Sequence, residues 1–132
     1  MCKVGDIIIV KEYVDNGLTL SRHSFVVLSD ELGNIQGLDY DIVCNVMSSF
    51  KNEEHKKKKL SYLTNFPVTY EDLDITNGGN KKNGYIKANQ FYYFNKEKTD
   101  FLVIGSLNND VFESLLKLIE QLKTVYEVID NL

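Results

Sequence analysis

The chain has 132 residues, 43% of them hydrophobic and 26% charged, a size and balance that fit one domain, residues 1–132, with a core of its own. Its net charge of −4 argues against non-specific binding to duplex nucleic acid, and its longest apolar runs are too short to span a bilayer. No basic and apolar leader opens it and its two cysteines lack metal-ligand spacing, so the expected setting is the reducing cytoplasm, away from membranes.

In chain order, "VGDIIIVKEYV" (Val4–Val14) predicts a β-branched strand, closed by a turn signal at Asp15–Gly17. Residues 18–21 lead into a second strand, "HSFVVLSD", and "ELGNIQG" predicts a loop. Asp39–Phe50 is largely apolar and predicts a central strand. "KNEEHKKKK" has no apolar residue and predicts an exposed loop. "NFPVTY" predicts a short strand, and Pro67, the only proline, suggests an edge or strand-start position. "DITNGGNKKNG" predicts a polar turn, and Gly84–Phe94 and Asp100–Leu107 predict two more strands. From residue 108 the period changes. Val111, Leu115, Leu118, Leu122, Val125 and Ile129 recur at three and four, and Phe112, Leu116, Ile119 and Tyr126 widen the stripe. This predicts one long amphipathic C-terminal helix, capped by Asn108, Asn109 or Asp110. Strands in succession followed by a helix predict a mainly β fold, an antiparallel sheet curled into a small barrel. The stripe is wider than one small sheet covers, which points to a second subunit.

The common site signatures are missing. "NGGNKKNG" lacks the phosphate-loop spacing, and there is no HExxH or CxxC, so no metal and no cofactor is expected. Charge is unevenly placed: Lys51 and Lys56 to Lys59 gather in one stretch, and Lys81, Lys82, Lys87, Lys96 and Lys98 in another. Such polarity suits a polyanion on one side, although solvated loops would look the same. Polar residues at strand ends are the remaining candidates. Arg22 is the only arginine beside fourteen lysines and stands with Ser21 and His23 at the mouth of an apolar strand. Its planar fork suits phosphate in a way lysine cannot copy; a structural pairing with a carboxylate is the plain alternative. Ser48 and Ser49 end another apolar strand and can donate to a phosphate oxygen or to the strand end itself. Lys87 and Asn89 are expected on one strand face, with Ile86, Ala88 and Gln90 on the other. In a regular strand His23 points away from Arg22, and it is the local group that titrates near neutral pH. His55, within the lysine run, reads as a bystander.

The segments "VGDIIIV", "RHSFVVLS", "CNVMSSF", "KKKKLSYLTNFPV", "GYIKANQF" and "VIGSLNNDVFESLLKLIEQL", in that order, resemble the MazF/PemK-type toxin family. These are ribosome-independent endoribonucleases of toxin–antitoxin systems. Two departures stand out. The chain has Arg22-His23 where the family has Arg-Pro. It has Lys87-Ala88-Asn89-Gln90 where some members carry Arg-x-Asp-Gln, so Asn89 cannot serve as a general base. The resemblance implies an SH3-like small barrel of the MazF/PemK/CcdB kind with a C-terminal helix, acting as a homodimer with a cognate antitoxin. It implies metal-independent, sequence-specific cleavage of single-stranded RNA through a 2′,3′-cyclic phosphate. In that scheme Arg22 is the cation over the phosphate and a possible acid. Ser48 or Ser49 hydrogen-bonds the phosphate, Lys87 adds charge, and His23 titrates. Lys56, Lys57, Lys58 and Lys59 would hold flanking phosphates, and Asn89, Gln90 and Tyr92 or Tyr93 the bases. The alternative is the same fold without catalysis, binding RNA or a protein partner.

Overall fold

The first hairpin follows directly from its turn. Asn16 and Gly17 both have positive φ (52° and 75°), the backbone of a two-residue turn whose twist matches the strands it joins. It links β1 (Asp6–Asp15) to β2 (Leu18–Ser29). The computed structural model describes residues 2–75, 83–122 and 126–132. After β2 come β3 (Gly33–Ile35), β4 (Leu38–Tyr40), β5 (Ile42–Ser49), α1 (Glu53–Leu60), β6 (Asn65–Val68), β7 (Leu73–Ile75), β8 (Gly84–Lys87), β9 (Gln90–Phe94), β10 (Phe101–Leu107), α2 (Asn109–Gln121) and β11 (Glu127–Asn131). The main sheet runs β11-β9-β5-β2-β1-β10-β7, with β8 also on β5 and β6 on β8. Its pairs are antiparallel except β11 on β9. Edge position explains how Pro67 is tolerated: among the described residues β6 pairs only with β8.

Both faces of β1 are buried, and the period of two therefore splits its residues between two cores. Ile8 and Val10 join Tyr13, Phe25, Val27, Ile42, Cys44, Val46, Tyr92 and Phe94 in the first. Ile7 and Ile9 join Val26, Val68, Leu73, Ile86, Ile104, Leu107 and Leu115 in the second. The first core is wrapped by β9 and β11. The Asn131 side chain accepts from Val14 N–H (2.6 Å) and donates to Val14 C=O (3.0 Å), tying β11 to the far end of β1. The Tyr92 hydroxyl adds a clamp by donating to Asp15 (2.8 Å). The second core is covered by α2. Leu115 is fully buried there, and Val111, Phe112, Leu118, Ile119 and Leu122 pack against the same cluster. The result is a mainly β, curled half-barrel sheet with a helix near its C-terminal end.

Several sequence-based expectations are corrected. The lysine stretch is a helix, not a loop. Asn52 caps it by accepting from His55 N–H (2.8 Å), Glu53 and Glu54 occupy the first turn, and Lys57 to Lys59 the last. Capping and the macrodipole thus replace the missing apolar stripe. "GNIQGLDY" is a hairpin turned by Gln36 and Gly37, both at positive φ. Gly84–Phe94 is two strands. β5 pairs β8 from Met47 and β9 up to Cys44, so three steps along β5 face six on the partner, from Ile86 to Tyr92. The surplus of three is taken up by the turn at Ala88 and Asn89 and the start of β9, and Asn45 Nδ2 bridges the gap to Gln90 C=O (2.8 Å). Lys87 and Asn89 therefore do not share a strand face. The closing helix stops at Gln121. Val125 lies outside the described residues, Tyr126 follows the helix and donates to Ile119 C=O (3.1 Å), and Ile129 packs on the first core from β11. Its own chain covers most of the α2 stripe, which removes the argument for a second subunit drawn from that helix. Asn108 holds the N-cap position, but its side chain donates to Glu71 C=O (3.0 Å) instead of capping. Among the described residues no helix is long and apolar enough to cross a membrane.

Candidate nucleic-acid interface

Strand alternation within β2 separates Arg22 from His23. His23 lies on the first-core face, edge-on to Tyr13 and Phe25 (ring centroids 6.1 and 6.3 Å). Its Nε2 is 3.4 Å from Ser48 Oγ on β5. Burial lowers the His23 pKa, a hydrogen bond with the Met47 backbone opposes that, and the nearby Lys87 ammonium lowers it further. The ring is therefore neutral at physiological pH. Ser48 stands across from Tyr85 of β8, and Lys87, two residues on, shares the Tyr85 side of that strand. Gly84 makes this approach possible, because a Cβ there would collide with the Ser48 carbonyl. The structure thus brings together His23, Ser48 and Lys87, each half-buried.

Other expected residues do not join them. Arg22 alternates to the opposite face, is exposed, and its side chain makes no hydrogen bond or ion pair among the described residues. Ser49, next to Ser48 on an extended strand, also faces away and is exposed. Asn89 sits in the looped-out turn, where its carbonyl accepts from Glu127 N–H (2.8 Å). Gln90 starts β9 beneath β11, with its Oε1 buried and unpaired. Tyr92 is 1% exposed, so its ring belongs to the first core and is closed to a stacking base. Burial and the Asp15 hydrogen bond push its hydroxyl well above the ordinary tyrosine range. Tyr93 packs edge-on against Tyr40 (4.8 Å).

An aromatic cluster beside the trio was not anticipated. Phe50, just past β5, stacks on Tyr85 (5.3 Å, 29°), with His55 of α1 at 6.4 and 6.3 Å from the two rings. The available signal was positional: Phe50 follows Ser48 by two residues and Tyr85 precedes Lys87 by two. In α1, Lys56 and Lys59 are half-buried, one turn apart, while Lys57 and Lys58 are exposed. The face therefore combines a neutral imidazole, a hydroxyl, an ammonium, stacked rings and a run of lysines. Among the described residues no three His, Cys, Asp or Glu side chains group as metal ligands. Cys2 and Cys44 are buried, and burial raises both thiol pKa values, so neither is poised as a nucleophile. A separate cleft of about 610 Å³, lined by Lys11, Tyr13, Thr19, Phe94, Lys98 and Asp130 among others, contains none of the sequence-predicted site residues. Comparison of the chain with protein-family models, with curated proteins and with solved structures finds no match.

Proposed function

We propose that the chain binds single-stranded RNA across the α1, β5 and β8 face and cleaves it without metal, as the resemblance to MazF/PemK-type toxins implies. The observation that carries this reading is the meeting of His23, Ser48 and Lys87 beside the lysine-bearing helix. A neutral His23 can take the proton of a ribose 2′-OH, with Ser48 Oγ as hydrogen-bond partner or relay. The O2′–P bond forms as the P–O5′ bond breaks. The Lys87 ammonium stabilises the charge growing on the phosphoryl oxygens and gives a proton to the departing O5′. The products are a 2′,3′-cyclic phosphate and a 5′-hydroxyl, and solvent restores the two protonation states. Arg22 leaves the reacting centre in this scheme. As a toxin the protein would work in the cytoplasm as a homodimer and be restrained by a cognate antitoxin.

The test is incubation with a long single-stranded RNA in EDTA, with both product ends mapped. The expected result is 5′-hydroxyl and cyclic phosphate ends, with at least a ~100-fold rate loss in His23→Ala. Protein-bound but uncut RNA would favour the second reading, a binding module without catalysis. The 3.4 Å His23–Ser48 separation and the averted Arg22 speak for that alternative.

A further inference from the structure

We propose that Phe50 is the floor of a subsite for one unpaired nucleobase, and that Lys56 is the movable cover of its open face. This rests on the RNA reading above and deepens it by naming a base-recognition element. Tyr85, 3% exposed, backs one face of the Phe50 ring at 5.3 Å. The Lys56 ammonium lies over the ring, 5.8 Å from its centroid. With Tyr85 stacked on one face, we place the cation over the other. The contact there is made by the end of a flexible side chain and is weaker than base stacking. A base that displaces Lys56 leaves the ammonium beside the phosphate attached to that base. His55 supplies a polar edge. Its Nδ1 accepts from Lys51 N–H (3.1 Å), which leaves Nε2 to carry the proton of the neutral ring as a donor for a base oxygen or nitrogen. Desolvation and then Lys51, Lys59 and Lys58 hold that ring neutral by lowering its pKa. The surrounding charge suits a polyanion: Lys51, Lys56, Lys57, Lys58 and Lys59 outnumber Glu53 and Glu54, which sit in the first turn of α1. An acidic peptide would satisfy the lysines, but a backed flat ring under a displaceable cation suits a planar ligand tethered to phosphate. Phe50 lies two residues, about 6.7 Å, along the chain from Ser48, within a nucleotide of the reacting phosphate.

The probe is a 2′-fluoro single-stranded oligonucleotide, which cannot be cut, with each base in turn replaced by an abasic unit. Binding is read by anisotropy. In the wild type, one position is expected to cost about tenfold when its base is removed. In Phe50→Leu the intact strand should bind about tenfold more weakly, and the penalty at that position should vanish. A 2-aminopurine placed there should be quenched at saturation by the wild type and more strongly by Lys56→Gln, but not by Phe50→Leu. No binding to the wild type overturns both the RNA reading and this subsite. Binding with a flat abasic scan, or with a scan unchanged by Phe50→Leu, overturns the subsite alone. A polyglutamate peptide that loses as much affinity as the oligonucleotide in Phe50→Leu also overturns it, in favour of an acidic protein partner. Should Phe50→Leu unfold, Lys56→Gln decides: a quench no stronger than that of the wild type overturns the proposal.

Discussion

Replacing Lys57 and Lys58 together by glutamine tests whether α1 lies on an RNA backbone. These two are the exposed lysines of the run; Lys56 covers Phe50, and the Lys59 carbonyl accepts from the Asn65 side chain (2.9 Å). Each phosphate neutralised on a single strand contributes about 0.7 to the slope of log affinity against log salt, so losing two contacts should flatten that slope by about 1.4. Over a fourfold rise in salt the variant should then lose about sevenfold less affinity than the parent does. Removing all four lysines should flatten the slope by about 2.8. Glutamine keeps helix propensity. It gives up the lysines' favourable position at the helix C-terminus, worth about 0.3–1 kcal/mol each, so thermal melting is checked first. Lys98→Gln, exposed in the short turn Lys96–Lys98, removes the same unit of charge elsewhere and should leave the slope unchanged. The assay is anisotropy of a 2′-fluoro strand over a salt series. An unaltered slope in the double variant, or an equal change in Lys98→Gln, refutes the placement of RNA on α1.

The lowered His23 pKa predicts an acid limb of the cleavage rate that lies below about 6.5, the ordinary histidine value; His23→Gln should lower the rate at least ~100-fold and remove that limb from what remains. The same shift has a sign for stability: folding favours neutral His23, so the contribution is fully present above the unfolded value and is lost as pH falls through the lowered folded value, a loss that His23→Gln should reduce in melts taken from pH 7 to 5. Arg22→Ala, on the averted face, should keep cleavage within about threefold of the parent; a loss near ~100-fold would return it to the reacting centre. Tyr92→Phe should cost about 1 kcal/mol of stability through the lost Asp15 hydrogen bond and leave RNA affinity unchanged, as measured by urea unfolding and anisotropy. Light scattering should give about twice the 15.2 kDa chain mass, and the chain mass alone would refute the homodimer of the proposal.

How much of this was readable beforehand differs from element to element, for physical reasons. The β1–β2 hairpin was legible because Asn16-Gly17 states its turn locally, and the edge position of β6 because proline removes a donor wherever it sits. α1 was hidden because it buries no residue at all: its stability comes from the Asn52 cap and the order of its charges, not from a stripe. The closing segment misled in the opposite sense. Its apolar positions fit a period of three to four through Ile129, yet after Leu122 the chain returns as β11, since the first core needs a strand beside β9 more than the second needs a longer helix. Within the site, the divergence of Arg22 and His23 followed from a period of two, but not which of them would meet a serine. That choice depends on β2 pairing with β5 so that Ser24 lies opposite Met47, which sets His23 beside Ser48, 25 positions away. Phe50 and Tyr85 were unreadable as a ring pair for the same reason.

The fork at β5 ties the fold to the site. Up to Cys44 the strand pairs with β9, whose Tyr92 and Phe94 fill the first core; from Met47 it pairs with β8, whose Ile86 turns to the second. The first-core face of β5 therefore runs out of apolar cover just beyond Val46. The next residue on that face is Ser48, its neighbour across β2 is His23, and β8 ends there at Lys87 before the chain loops out at Ala88 and Asn89. A continuous Gly84–Phe94 strand would have kept the apolar layer going and buried Ser48 against it. The looped-out residues that allow one strand to serve two cores are thus also what opens a polar, half-buried gap beside α1. Deleting the three surplus residues, Ala88, Asn89 and Gln90, to restore a continuous register should close that gap. It should abolish cleavage even though His23, Ser48 and Lys87 are all retained. RNA affinity should survive through the α1 lysines, because these do not depend on the fork. Cleavage at the parental rate by a folded deletion variant would show that the gap is not where the reaction occurs.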